Sequence, residues 1–136
     1  LNLFVLSYGF VYKITHTPSG KSYLGKKVLI HNKKTKLTKK DLLMYEGVQG
    51  RKPTYKIVQK DSSWKSYYGS NKTLMELVQN ESLENFKREI LILCTTKKLL
   101  TYYETQALFT YRVLEEDDIW FNDNILGKFF RKDFDM

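Results

Sequence analysis

The stretch YGFVYKITHTPSGKSYLGKKVL, residues 8–29, decides the fold because it has the pattern of a β-hairpin. Residues 8–16 alternate as a strand does, and residues 21–29 form a second strand after the turn sequence TPSG. Opposed residues in a hairpin have a constant sum of residue numbers, and with a sum of 35 or 37 Tyr12 and Tyr23 share a face. The two phenols then form either an ordinary cross-strand aromatic pair or part of a site.

Two helices and one further strand are predicted after the hairpin. A helix begins at residue 72, with Ser70 or Asn71 as its cap, because apolar residues recur at helical spacing as far as Val78. Residues 86–94, FKREILILC, predict a third strand whose apolar half suits the sheet centre, and residues 98–114 predict the clearest helix. The predicted fold class is α/β (α+β), with a small central three-stranded, mainly antiparallel sheet flanked by helices and a basic insertion after the first hairpin.

Most of the net charge of +8 lies in one segment of the 136 residues. The length fits a single domain, residues 1–136, in which residues 26–63 form a basic insertion with no clear period. Nucleic acid is the natural partner of such a segment, and the alternative is a solvated, mobile loop. The candidate DNA-contacting residues are Lys27, Lys33, Lys34, Lys36, Lys39, Lys40, Arg51 and Lys52. His31 could assist proton transfer, although a lone loop histidine is more often merely solvated.

The apolar content of the chain indicates neither a membrane protein nor a disulfide scaffold. Residues 3–12 are too short to span a bilayer and follow no basic segment, so we expect a buried strand and no signal peptide or membrane anchor. Cys94 is the only cysteine, which leaves no partner for a disulfide or a zinc cluster. Both observations predict a cytoplasmic protein.

Glu104 interrupts the apolar face of the last predicted helix. On a helical wheel it falls inside the stripe formed by Leu100, Ala107, Leu108, Tyr111 and Leu114. Burying an unpaired carboxylate is costly, so such a position usually provides a cation, a donor network or a metal. The alternative is a core glutamate paired with one lysine or arginine. No cluster of converging carboxylates accompanies Glu104, so the sequence favours one metal ion rather than two.

These motifs resemble the GIY-YIG nuclease family, and the resemblance covers nearly the whole chain. Phe10-Val11-Tyr12 and Tyr23-Leu24-Gly25 are similar to the two strand motifs that name the family, and the spacing of the tyrosines agrees. Tyr103-Glu104 and Phe121-Asn122 resemble the family's metal-binding glutamate and later asparagine. Residues 64–71 (WKSYYGSN), 86–91 (FKREIL) and 121–130 (FNDNILGKFF) look like small phage-encoded members described as homing endonucleases.

Two positions depart from the family pattern. Phe10 replaces the first glycine of the name, with Gly9 one residue early, which should alter only local strand geometry. The family's catalytic arginine would fall on Lys33, within the insertion, and we expect Lys72 at the start of the displaced helix to replace it. The other candidates for this cation are Lys26, Lys27 and Arg51.

The resemblance implies a metal-dependent DNA endonuclease that hydrolyses phosphodiester bonds. Glu104 would hold one Mg²⁺ or Mn²⁺ ion per active site, and Asn122 would position Glu104 or the phosphate through its amide. If the chain is phage-encoded, its location would be the host cell cytoplasm.

The same resemblance gives the two hairpin tyrosines distinct roles. Tyr12 would act as general base on the attacking water, with its pKa lowered or offset by a cation such as Lys26 or Lys72. Tyr23 would orient the water or the phosphate.

Other functions remain open at the level of sequence. The main alternative is a catalytically degenerate DNA-binding module, and a third class is a structural or interaction protein in which Glu104 is paired internally. From its length we expect no separate DNA-recognition domain. If the chain is a nuclease, we therefore expect low specificity, a homo-oligomer whose two sites cut both strands, or an insertion that reads DNA.

Overall fold

The computed structural model describes residues 7–134, apart from the side chains of Asn32 and Lys33. The predicted strand residues before Ser7 lie outside the described part. The chain divides into two compact units, and the smaller, Ile30–Ser62, is inserted into the larger. The larger unit has the sheet and both long helices.

A three-stranded antiparallel sheet forms the centre of the larger unit. Strands β1 (Gly9–His16) and β2 (Lys21–Val28) form the predicted hairpin, and β5 (Phe86–Cys94) pairs with the other edge of β1. Tyr12 lies opposite Gly25 and Ile14 opposite Tyr23, which is the register with a sum of 37. The predicted fold class, hairpin and third strand are confirmed.

The third strand lies at the edge of the sheet, not at its centre as we expected. The strand order is β2-β1-β5, so β1 is the strand with two neighbours. Val11 of β1 is fully buried, whereas Ile90 and Leu91 of β5 are 42% and 37% exposed. The expectation was wrong because an apolar run indicates contact with some apolar surface and does not say how many strands flank it.

Two helices cover the sheet, one on each face. Helix α2 (Lys72–Asn80) begins after Asn71, whose side chain accepts a hydrogen bond from the backbone of Leu74, as predicted for a cap. Helix α3 (Lys97–Thr110) ends before the predicted residue 114. The last helical residue, Thr110, lies two residues before Arg112, whose φ of 55° is in the left-handed region, where an α-helix cannot continue. Tyr111, expected on the buried stripe, is 46% exposed.

The unit Ile30–Ser62 is a two-stranded ribbon with a short helix between its strands. Strand β3 (Ile30–Lys36) pairs antiparallel with β4 (Tyr55–Asp61), and α1 (Lys39–Leu43) lies between them in sequence. The sequence pattern did not predict these strands, since a ribbon with exposed residues on both faces needs no apolar alternation. Lys26 and Lys27, which we assigned to the insertion, instead belong to β2.

The segment after α3 covers the outer edge of β2. The backbone of Ser22 accepts a hydrogen bond from Phe121 and donates one to Ile119, forming a parallel bridge. Two short strands follow, β6 (Asn124–Ile125) and β7 (Phe129–Phe130). The guanidinium of Arg131 then donates to the backbone carbonyls of Val113, Trp120 and Asn122, which ties this segment together.

Within residues 7–134, no helix has the length and apolar character needed to cross a membrane.

Candidate active site

The outer edge of β2 has three successive kinds of hydrogen-bond partner. Ser22 bonds to backbone, as described above. Leu24 donates its N–H to Oδ1 of Asn122 at 3.1 Å, and its carbonyl accepts from Nδ2 of the same amide at 2.8 Å. The backbone N–H of Lys26 bonds to the carboxylate of Glu104. Because alternate residues of an edge strand direct their backbone groups outward, the same edge orients Asn122 and Glu104.

Glu104 is half-buried on α3, on the stripe that also contains the buried residues Leu100, Ala107 and Leu108. Burial raises the pKa of Glu104, while the charge of Lys26 and its backbone hydrogen bond act in the opposite direction. The Lys26 ammonium donates to the hydroxyl of Thr101 at 3.0 Å. None of the ion pairs among the described residues includes Glu104. The carboxylate is therefore near a cation without forming a closed ion pair with it.

A polar cleft of about 430 Å³ opens beside this carboxylate. It brings together four of the six predicted catalytic residues, Tyr23, Lys72, Glu104 and Asn122. Lys26 adjoins the cleft through its contact with Glu104, whereas Tyr12 lines a separate aromatic cleft with Phe10, Trp64 and Tyr67. The lining of the polar cleft comes from β2, the start of α2, the middle of α3 and the segment that follows α3.

The two tyrosines share a face of the hairpin, as predicted, with their ring centroids 6.2 Å apart. Gly25 permits this arrangement, because a Cβ at that position would lie 2.6 Å from the hydroxyl of Tyr12. Tyr12 also packs edge-on against Tyr67, with the ring centroids 5.9 Å apart. The Tyr23 hydroxyl instead reaches the hydroxyl of Ser70 at 3.2 Å, at the mouth of the polar cleft.

The pKa of Tyr12 is not lowered, contrary to the expectation for a general base. Burial raises the pKa of Tyr12 well above its ordinary value, and the nearby phenols of Tyr23 and Tyr67 raise it further. Burial also raises the pKa of Tyr23, against a smaller lowering by the hydrogen bond to Ser70. Both phenols therefore keep their protons at neutral pH in the metal-free protein.

The amide of Asn122 has a different partner from the one we expected. Both of its polar groups bond to the backbone of Leu24, and the side chain is buried. The amide thus bonds to Leu24 and not to Glu104 in this structure, and its expected role in positioning Glu104 or a phosphate stays a prediction. Asn122 acts in place of a paired strand residue and extends the edge of the sheet toward Glu104.

Four polar residues of the cleft were not predicted as site residues from the sequence: Ser70, Asn71, Asp123 and Asn124. Ser70 was considered only as a helix cap. Asp123 directly follows Asn122, and its carboxylate contributes to the raised pKa of Tyr23. The stretch FNDN contains both residues 122 and 123, so the signal was present as a second acid beside the recognised asparagine.

The predicted DNA-contacting residues fall in both units. Lys27 lies on β2, with its ammonium 4.2 Å from the ring centroid of Tyr67. The side chain of Lys33 lies outside the described part. The others belong to the unit Ile30–Ser62: Lys34 and Lys36 on β3, Lys39 and Lys40 on α1, and Arg51 and Lys52 before β4.

One protein-family comparison gives a match. The family model described as "Putative endonuclease segE, GIY-YIG domain" matches residues 4–125, which is most of the chain. No curated protein and no solved structure matches. The matched range includes the hairpin, the insertion, both long helices and the cleft residues from Tyr23 to Asn124.

Proposed function

The chain belongs to the GIY-YIG nuclease family, and on that premise we propose that it is a metal-dependent DNA endonuclease whose one divalent ion binds at Glu104. The endonuclease domain makes DNA the substrate. The finer description, a phage-encoded and homing-endonuclease-like enzyme, follows the resemblance to small enzymes of that kind. The observation that best supports the proposal is a half-buried carboxylate that lines a polar cleft and forms no ion pair with any residue the structure describes.

The residues of the cleft fit a hard divalent cation. Such an ion prefers oxygen ligands, and Mg²⁺ usually retains several waters while binding one or two carboxylates. Glu104 offers a carboxylate, and Tyr23, Ser70 and Asp123 add further oxygens to the lining. The described residues contain no group of three or more acidic, histidine or cysteine ligands, which agrees with a single ion that shares its coordination with substrate. When bound, the ion supplies Lewis-acid polarisation of the scissile phosphate and stabilises the leaving oxygen.

Lys72 is the cation that we propose in place of the family arginine. It follows the cap of α2, and its exposed side chain lines the cleft. The arginines described in the same unit are engaged elsewhere. Arg88 donates to the carbonyls of Lys65 and Tyr67, and Arg112 pairs with Glu115. Arg131 donates to the three carbonyls named above. A lysine there neutralises a phosphate as a point charge and lacks the two-pronged geometry of a guanidinium.

We propose that Tyr23, not Tyr12, is the phenol that orients the attacking water. Its neutral hydroxyl can accept one hydrogen bond and donate another, and Ser70 fixes its direction. The ring of Tyr12 contacts the ring of Tyr23 and helps to hold it in place. Orientation of the water by Tyr23 needs no phenolate, which agrees with the raised pKa of both phenols.

Cleavage of supercoiled plasmid tests the proposed function. With Mg²⁺ or Mn²⁺ we expect nicking or linearisation, and with excess EDTA we expect none, because the reaction depends on an ion at Glu104. DNA binding is measured on the same samples in EDTA. DNA binding without cutting under any divalent ion would make the degenerate binding module the better account.

Single substitutions at the two tyrosines distinguish their roles. We expect Tyr23→Phe to lower the single-turnover cleavage rate by about ten- to a hundredfold, since a misplaced water costs this much. Tyr12→Phe keeps the ring that packs on Tyr23 and should have a smaller effect. Rates are measured at saturating Mg²⁺ and equal folded fraction. A larger loss in Tyr12→Phe than in Tyr23→Phe would restore Tyr12 as the catalytic phenol.

A further inference from the structure

The unit Ile30–Ser62 has a strong excess of positive charge. Its sequence contains nine lysines and arginines against three acidic residues, although it is 33 residues of the 136. Among its described residues one ion pair is formed, between Lys56 and Asp41 at 2.7 Å. Most of the positive charge is thus available to a polyanionic partner.

The two faces of the ribbon differ at one pair of residues, where α1 contacts one face, although Val58 and Lys60 on that same face are exposed. Register pairs Thr35 with Lys56 on one face, and both residues are half-buried where the ion pair with Asp41 ties α1 to the strand. The pairs Lys34–Ile57 and Lys36–Tyr55 alternate with that pair and therefore lie on the opposite face. We call this opposite face the open face; its members used below are Lys34, Lys36, Tyr55, Ile57 and Gln59.

The open face is solvent-exposed along its whole described length. All five of its named residues are exposed, and Ile57 is 73% exposed. The ammonium of Lys34 lies 4.6 Å from the ring centroid of Tyr55, so an aromatic ring orients one of the cations on this face. Asp61 lies on the same face, at the far end from Lys36. Ile57 and Tyr55, the latter 49% exposed, add apolar surface to the cationic surface of this face.

The size and chemistry of the open face match the major groove of duplex DNA. A groove about 12 Å wide admits a two-stranded ribbon, whereas the minor groove, about 6 Å wide, does not. Lysine contacts guanine O6 and N7 or a phosphate, glutamine pairs with the major-groove edge of adenine, and an apolar side chain packs on the thymine methyl. Lys34, Gln59 and Ile57 provide these three chemistries on one face.

We propose that the ribbon β3–β4 inserts its open face into the major groove and reads base edges there. This inference rests on the proposed function and goes beyond it, because that function requires only that basic residues contact phosphates. Charge complementarity favours a nucleic acid, and the width of the groove favours B-form DNA over double-stranded RNA, whose major groove is narrow and deep.

A pair of matched variants of the full chain tests the ribbon. Lys34→Ala on the open face and Lys60→Ala on the opposite face remove the same charge from exposed positions of the two paired strands. In EDTA, with a fluorescent DNA duplex, we expect Lys34→Ala to weaken binding by about tenfold, the loss of one good base-edge contact. Lys60→Ala should weaken binding by no more than about threefold, through general attraction to phosphates. Equal losses in the two variants would overturn the proposal.

Groove-specific probes provide the second measurement. Methylation of guanine N7, a major-groove atom, should reduce binding of the wild-type chain, whereas netropsin in the minor groove should leave it unchanged. The reverse pattern would overturn major-groove insertion, as would equal affinity for double-stranded RNA or displacement of DNA by polyglutamate at matched charge. If the wild-type chain binds and cuts DNA while the two lysine variants are equivalent, only the ribbon inference fails. If it does not bind DNA even at low salt, both proposals fail.

Discussion

Glu104→Gln is expected to slow plasmid cleavage strongly and, at the same time, to raise the thermal stability of the protein. Loss of the metal-binding carboxylate should lower the rate by about a hundred- to a thousandfold, the cost of removing one main electrostatic group from a catalytic site. Stability should rise because the wild-type protein holds an ionised carboxylate in a half-buried position. Glutamine can keep the hydrogen bond from Lys26 without the charge.

The sign of the stability effect depends on pH. Burial raises the pKa of Glu104 in the folded protein above its ordinary value. The group therefore stabilises the fold below the unfolded pKa, and this stabilisation is lost as the pH rises through the folded pKa. The stability advantage of Glu104→Gln should thus be greatest at neutral pH and vanish in acid. Metal binding should weaken as the pH falls through the same window, because protons compete for the carboxylate.

Thermal unfolding with and without Mn²⁺ measures the stability change and the binding of the ion, and the plasmid assay measures cleavage. The ion should raise the melting temperature of the wild-type chain and leave that of Glu104→Gln unchanged. Glu84→Gln is the matched control, since this carboxylate is exposed. It should cut and bind the ion as the wild type does. A Glu104→Gln protein that cuts in Mg²⁺ at the wild-type rate would contradict the assignment of the ion to this residue.

Asn122→Ala is expected to destabilise the fold by about 2–4 kcal/mol, because each buried polar group that loses its partner costs about 1–3 kcal/mol. The substitution removes both hydrogen bonds to the backbone of Leu24, at a position where Asn122 is buried. Cleavage per folded molecule should fall much less than in Glu104→Gln. In this interpretation Asn122 is a positioning residue that acts through the edge of β2.

Urea unfolding and cleavage rates, measured on the same preparation, separate this role from a chemical one. Asn80→Ala is the control, since this exposed residue ends α2 outside the lining of the cleft and its loss should cost less than about 1 kcal/mol. An Asn122→Ala protein with wild-type stability and no cleavage would instead support direct action of the amide on Glu104 or the phosphate.

Sequence reasoning was most successful where a local period carried the information. The hairpin, the start of α2 and the position of Glu104 on an apolar stripe all depend on residues a few positions apart. The resemblance then related Glu104 to the tyrosines, which are far away in sequence. The polar cleft brings Tyr23 and Glu104 together, whereas the roles of its residues stay predictions.

The features that sequence reasoning did not predict depend on distant partners. Asn122 bonds to Leu24, 98 positions away, and no local pattern distinguishes such an amide from a catalytic one. The pKa of Tyr12 depends on the aromatic rings packed around it, which a count of neighbouring lysines in the sequence does not reveal. The ribbon strands were not predicted because residues on both of their faces are exposed, so the sequence there shows no alternation of apolar and polar residues.

The hydrogen bonds on the outer edge of β2 also determine when during synthesis the site can exist. Ser22 and Leu24 leave the ribosome early, whereas their partners Ile119, Phe121 and Asn122 follow only near the end of the described chain, with Arg131 later still. A nascent chain can therefore form the hairpin long before it has the far wall of the cleft. Until Asn122 has been added, the growing chain has the two tyrosines of the hairpin but lacks part of the lining of the cleft.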